Sequence, residues 1–269
     1  MTSNDPILVE MQGHVAVLTL NRPQTHNALS GEDMFAAFES LFARLNADLK
    51  VRAAVLTGAG KSFCSGGNVA EMRDRTGMFG GSPEQIAANY RAGIQRIPRA
   101  FQTLQVPIIA AVNGAAIGAG NDLACMCDIR IASSAARFAE SFVKVGIVPG
   151  DGGCWLLPKV VGHSKAAEMA LAGDTINADE ALRVGLVSKV VAPEALLGEA
   201  MAMAQRIAAN PPKVLRWTKQ LLQQARTSTL DEALDQAGQF QGQAHHTADH
   251  AEAVAAFFEK RPPVFGEAG

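Results

Sequence analysis

The sequence predicts an α/β fold with a helical C-terminal region, and three features carry that prediction. Apolar runs of strand length alternate with longer stretches of helical periodicity. Two of those runs, residues 53–57 and 107–112, lead straight into glycine-rich turns. From about Pro193 the pattern changes to nearly continuous helix.

Taken in order, Val15–Leu20 (VAVLTL) reads as a strand ended by the Asn21-Arg22-Pro23 turn, after which Ser30 is expected to cap a helix reaching about Asn46. Residues 53–57 (AAVLT) form a second buried strand, followed by GAGKSFCSGGN, a loop whose glycines permit backbone conformations that other residues resist. Residues 83–104 read as helical. Residues 107–112 (PIIAAV) form a short strand entering NGAAIGAGND, from which another helix starts. Residues 128–132 add a strand before the loop FAESFVKVGIVPGDGG, and residues 187–191 add a late one. Beyond Pro193 the helical pattern breaks at Asn210-Pro211-Pro212 and near Thr227-Ser228. The expected division is a core over residues 1–195 and a helical oligomerisation subdomain over residues 196–269.

Composition narrows the function. A chain of 269 residues, 48% hydrophobic and 19% charged, buries a sizeable core and is not disordered. Its formal net charge of -2 supplies no global attraction to nucleic acid or anionic lipid. Four cysteines are too few for a disulfide framework, and Cys125 and Cys127 are too closely spaced for a zinc knuckle, so reduced thiols and no metal are expected. The start, MTSNDPILVE, has neither a basic opening nor an apolar stretch of signal length. The most apolar segment, residues 106–119, is interrupted by Asn113 and Gly114. No membrane association and a cytoplasmic location are the resulting expectations.

The chemistry concentrates at SGGN (residues 65–68) and GAGND (residues 118–122), each just after a buried strand. Both corners can expose unpaired N–H groups, and such groups at helix starts suit an oxygen that becomes negative during reaction. Tight turns alone would also use these glycines. Phosphate binding fits less well, because GAGKS lacks the full Walker spacing and GAAIGAG the full dinucleotide fingerprint.

The segments SFCSGGNVAEM, PIIAAVNGAAIGAGNDLACMCDIRIA and FVKVGIVPGDGGCWLLPKVVG occur in the order seen in the crotonase, or enoyl-CoA hydratase/isomerase, superfamily. LNRPQTHNALS at the start, LAGDTINADEALRVGLVSKVV, and TADHAEAVAAFFEKRPPVF at the end extend that resemblance over nearly the whole chain. It implies a crotonase-like spiral of ββα units with a C-terminal helical subdomain, assembled as a homo-trimer or homo-hexamer. It also implies an acyl-CoA ligand, with coenzyme A carried as part of the substrate and no separate cofactor. The oxyanion-hole donors it implies are the N–H groups of Gly67 and Ala119.

The substrate-binding positions it implies are His26 and Ala28 in the first loop, Ser65, Gly66, Asn68 and Val69 in the second, and Gly118 in the third. Ser141 and Phe142 follow in the later loop, and Phe257 and Lys260 in the tail, which in this family helps hold the CoA nucleotide of a neighbouring subunit. Arg261 shares that segment. Met72, Met78 and Phe79 are expected to line the acyl pocket or simply to pack.

The chain departs from the hydratase pattern at both acids. Asp122 stands where that pattern has its first glutamate, and Phe142, which cannot transfer a proton, where it has its second. Asp151, in PGDGG, is the replacement that a paired-carboxylate mechanism would use, although a helix-cap role fits both aspartates as well. Glu140 is expected to be structural, since strand alternation points it away. His246 and His250 have an i, i+4 spacing but no accompanying metal pattern, and read as a solvated helix face. The sequence therefore predicts an acyl-CoA enzyme that stabilises a thioester enolate, as a hydratase-type lyase first and a double-bond isomerase second. A catalytically silent CoA-thioester binding protein is the alternative, and an assembly subunit without acyl-CoA affinity a further one.

Overall fold

A computed structural model describes residues 5–266. Residues 1–4, the start of the segment read as carrying no leader, lie outside the described residues, as do residues 267–269. The chain opens with β1 (Ile7–Gln12), β2 (Val15–Leu20) and α1 (Glu32–Ala47). Then β3 (Ala53–Gly58) and β4 (Ser62–Cys64) lead to α2 (Val69–Asp74), α3 (Pro83–Ala92) and α4 (Arg96–Thr103). Next come β5 (Ile108–Val112), β6 (Ala115–Ile117) and α5 (Ala119–Met126). The following turn is β7 (Ile129–Ser133), β8 (Arg137–Ala139), α6 (Gly153–Leu156), α7 (Pro158–Val161) and α8 (His163–Ala172). After β9 (Ile176–Asn177), α9 (Ala178–Arg183) and β10 (Lys189–Val191), the chain ends in α10 (Leu196–Ala208), α11 (Pro212–Gln224), α12 (Leu230–His245) and α13 (Ala248–Glu259).

Each ββα turn adds its longer strand to a six-stranded sheet of order β1-β2-β3-β5-β7-β10 and its short strand to a second sheet of order β4-β6-β8-β9. β2, β3, β5, β7 and β10 pair in parallel, and β1 closes one edge antiparallel. This is the spiral of ββα units that the resemblance implies. The central strands β2, β3 and β5 are almost wholly apolar because both faces are covered. Leu18, Leu56, Ile108 and Ala110 face a core shared with Phe38, Phe42 and Phe101, whose rings from α1 and α4 lie 4.8–5.8 Å apart. Val17, Val55, Ile109 and Ala111 face Ala200, Met201 and Ala204 of α10.

Two buried cations tie α11 to the rest of the chain. Arg216 donates to the carbonyls of Leu45, Asn46 and Asp48 and so caps the end of α1. Lys219 Nζ lies 2.8 Å from Asp128 Oδ2 and 2.9 Å from the Val106 carbonyl.

Several local expectations are corrected. Gly31, not Ser30, is the N-cap of α1 and offers no side-chain cap; Ser30 instead accepts from Arg22 through its carbonyl. The stretch 83–104 is two helices, parted at Gly93, where an added Cβ would lie 2.8 Å from the Asn89 carbonyl oxygen and 3.2 Å from the Phe35 ring. The segments read as continuous loops contain β4, β6 and β8. The C-terminal helices also break at His246-Thr247, so His246 and His250 do not share a helix; His245 Nδ1 and His250 Nε2 stand 3.0 Å apart across the break.

The tightest passage joins β4 to the start of α5. A Cβ on Gly120 would lie 2.0 Å from the Cys64 carbonyl oxygen. Gly120→Ala is therefore expected to lower stability by about 3 kcal/mol, since neither backbone can give way cheaply. Urea unfolding measures this, and an unchanged midpoint would show that the two corners are not pressed together.

Candidate active site

Three loops are sewn together at the ends of β2, β4 and β6. Asn27, fully buried and with φ 59°, donates to the carbonyls of Ala59, Ser62 and Phe63 at 2.9, 2.8 and 3.2 Å, while its Oδ1 accepts from Arg22 N–H at 2.9 Å. His26 Nδ1 contacts Ser62 Oγ at 3.1 Å, and the His26 carbonyl accepts from Ser65 N–H at 2.9 Å. Ser65 Oγ donates to the Thr25 carbonyl, and Leu29 N–H, beside buried Ala28, donates to the Gly66 carbonyl at 2.8 Å. The expected first-loop and second-loop residues are thus brought together. Asn68 serves as the N-cap of α2, its Oδ1 accepting from Ala70 and Glu71, and Val69 beside it is exposed.

The second loop meets the third. A Cβ on Gly66 would lie 2.5 Å from the Ile117 carbonyl oxygen and 3.1 Å from Ala119 N. The turn into α5 is made by Gly118, at φ 55° and ψ -122°, a conformation that a residue bearing Cβ resists. Ala119 is not among the residues with positive φ, so alanine there is unstrained and its N–H opens the helix. Among the described residues the N–H groups of Gly67 and Ala119 find no acceptor. A Cβ on Gly67 would touch Met72 at 2.8 Å and Phe79 at 3.7 Å, which places two of the three expected apolar residues over this corner. The Phe142 ring, in the turn that Ser141 opens, lies 3.6–3.8 Å from the Cβ position of Gly118.

Beside this junction, Asp122, Glu140 and Asp151 are all buried, with exposures of 0%, 1% and 3%. Neither aspartate caps a helix: both oxygens of each lack a donor among the described residues, and Gly152 is the N-cap of α6. Glu140 does not point away as strand alternation would have it, because β8 ends at Ala139 and alternation no longer governs its direction. Its Oε2 accepts from Asn121 Nδ2 at 2.9 Å, while Oε1 has no donor. A Cβ on Gly153 would lie 2.2 Å from Glu140 Oε1 and 2.5–2.6 Å from both Asp122 oxygens. The two carboxyls therefore crowd one point.

Ionised carboxylates only accept hydrogen bonds, so a proton shared within the cluster supplies bonds that the surroundings do not. Burial, reinforced by the charges of Asp151, Glu140 and Cys125, raises Asp122 well above the usual carboxylate range. Burial pushes Glu140 up to about 7, opposed by the hydrogen bond from Asn121. It pushes Asp151 up to about 6. A cluster held this way keeps protons into a range where carboxyls are ordinarily ionised. Cys64, pushed up to about 12 by burial, is no nucleophile.

Two contributors were not singled out from the sequence. Asn27 holds the first loop, and the visible signal was the tolerance of asparagine for φ > 0. Tyr90 packs edge-on against Phe79 at 6.2 Å, and a Cβ on Gly150 would reach its ring at 2.4 Å, so it walls the loop carrying Asp151. Phe257 and Lys260 are not gathered in: they stand exposed at the end of α13, where Arg261 pairs with Glu252 and Glu259.

With this geometry in place, comparison with known proteins identifies the family. Residues 10–268 match the Enoyl-CoA hydratase/isomerase family, and the chain belongs to it. The chain is 39% identical over 256 residues to a Short-chain-enoyl-CoA hydratase of Clostridium acetobutylicum, covering 95% of each. It is 37% identical to a 1,2-epoxyphenylacetyl-CoA isomerase of Escherichia coli, covering 96% of this chain and 97% of that one. Among solved structures, an enoyl-CoA hydratase from Mycobacterium smegmatis matches with a TM-score of 0.88 at 37% identity, covering 96% of this chain and 98% of that chain. No described helix is long and apolar enough to cross a membrane.

The raised carboxyls make stability depend on pH with a definite sign. The folded chain keeps protons that the unfolded chain releases at lower pH, so this contribution is full below the ordinary carboxylate range and is lost as pH rises through about 6 and about 7. Urea midpoints should fall between about pH 5 and about pH 8, and Asp151→Asn should flatten part of that fall. An equal slope in the variant would exclude Asp151 from the cluster.

Proposed function

We propose that the chain is an enoyl-CoA hydratase-type lyase that adds water across the double bond of an enoyl-CoA by way of a thioester enolate. The observation that carries this reading is the buried pair Asp122 and Asp151, whose carboxyl oxygens lack a donor among the described residues, beside the amides of Gly67 and Ala119, which find no acceptor among them. Those amides accept the thioester oxygen as it becomes negative. Asp151 takes a proton from the water whose oxygen bonds to the β carbon, and the electron pair of the double bond moves into the enolate. Asp122 gives its proton to the α carbon as the enolate collapses, and the proton on Asp151 passes to Asp122 to restore the starting state.

Met72, Met78 and Phe79 line the acyl end. Phe257 and Lys260, with the helical region 196–269, act across subunits of a homo-trimer or homo-hexamer to hold CoA. The enzyme works in the cytoplasm with no cofactor beyond the CoA of its substrate.

Double-bond isomerisation is the second reading. Phe142 favours it, because an aromatic ring against Gly118 leaves an apolar wall where the hydratase pattern has a proton-transferring glutamate. In that reaction one aspartate takes the α proton and the other returns a proton at the γ carbon, with no water consumed.

Loss of the conjugated thioester absorbance of crotonyl-CoA measures hydration, and its appearance from a 3-enoyl-CoA measures isomerisation. Asp122→Asn and Asp151→Asn are each expected to lower kcat by about 100-fold to 10,000-fold in whichever assay is active. Activity kept within a few-fold in both variants would exclude the paired mechanism. Tight binding of acyl-CoA without turnover of any substrate would instead support the silent binding protein.

A further inference from the structure

Glu140 is the one buried carboxylate of the site that the reaction above does not use. Its only hydrogen-bond donor among the described side chains is Asn121, the residue immediately before Asp122 on α5. The groups facing it come from three elements: Asn121, Asp122 and Cys125 from α5, Asp151 from the loop ahead of α6, and Gly153 from α6 itself. Beyond these, Cys64 of β4 and Tyr90 of α3 face Asp151. Gly153 leaves the space that Glu140 and Asp122 occupy together, and a side chain there would push them apart.

We propose that Glu140, anchored by Asn121 and packed with Asp122 against Gly153, is a positioning residue that keeps Asp122 in its proton-donating form. The inference rests on the paired-aspartate reading above. A negative charge at 140 opposes a second one on Asp122, and Glu140 Oε1, lacking any other donor, is an acceptor for the Asp122 proton. The Asn121 bond fixes Oε2, so the free oxygen is the one turned toward Asp122 and Gly153. An amide at this position would reverse that demand. Its oxygen would still accept from Asn121, while its NH2 would donate to Asp122 and favour the ionised form.

The test is the pH dependence of kcat for Glu140→Gln, Glu140→Asp and Asp122→Asn beside the parent enzyme, using whichever enoyl-CoA it turns over. In Glu140→Gln the alkaline limb, set by loss of the Asp122 proton, is expected to move to lower pH, with kcat at the optimum kept within about threefold. Glu140→Asp, which retains the charge, is expected to keep the limb nearer its parental place. A Glu140→Gln profile that superimposes on the parent, or an alkaline limb moved upward, overturns the proposal. Should Glu140→Gln not fold, Glu140→Asn replaces it as the uncharged variant, and a Glu140→Asp limb shifted downward as far as that of Glu140→Asn overturns the proposal as well. Asp122→Asn separates the two levels: if it stays active, the paired-aspartate reading fails, and if it is inactive while Glu140→Gln leaves the profile unchanged, only the role of Glu140 fails.

Discussion

The site depends on the close approach of two strand-to-helix corners. Gly66 and Gly120 lie against Ile117 and Cys64 so closely that neither position has room for a side chain. That contact converts two separate turns into one surface, with the N–H groups of Gly67 and Ala119 left without partners among the described residues. The six-stranded sheet makes this possible by fixing β3 and β5 side by side, so that β4 and β6 emerge as neighbours. Helix α5 then begins at the junction, and its dipole adds positive potential where an oxyanion would sit.

The same junction explains why three carboxyls are tolerated in the interior. Asp122 sits in the first turn of α5, and Glu140, just past β8, and Asp151, in the loop ahead of α6, bracket it, so desolvation and mutual repulsion keep protons on the cluster. A stability cost at higher pH accompanies chemical usefulness at neutral pH, a compromise common at functional sites. The Phe142 ring lies against Gly118, and this is where the chain departs furthest from the two-glutamate pattern.

Much of this was legible in the sequence. Strands β2, β3 and β5 are almost wholly apolar runs because both of their faces are covered, and their lengths suited no buried helix. The glycine corners, Asp122 and Asp151 stood out through position and residue type. What escaped notice has physical causes. Strands β4, β6 and β8 have three residues each, too few for periodicity to register. Glu140 lies one residue beyond the end of β8, where alternation ceases to apply. Asn27 and Tyr90 act through contacts between segments far apart in the chain, which spacing does not reveal. Ser30 failed as a cap because Gly31, at φ 87°, takes the N-cap position.

The vibrational frequency of the substrate's own carbonyl tests the central claim most directly. With an acyl-CoA labelled with carbon-13 at the thioester carbon, two converging amides should polarise the C=O bond and move its stretch to lower frequency on binding. A bound thioester whose carbonyl absorbs as it does in water would contradict the account, because it would mean that Gly67 and Ala119 do not meet on that oxygen.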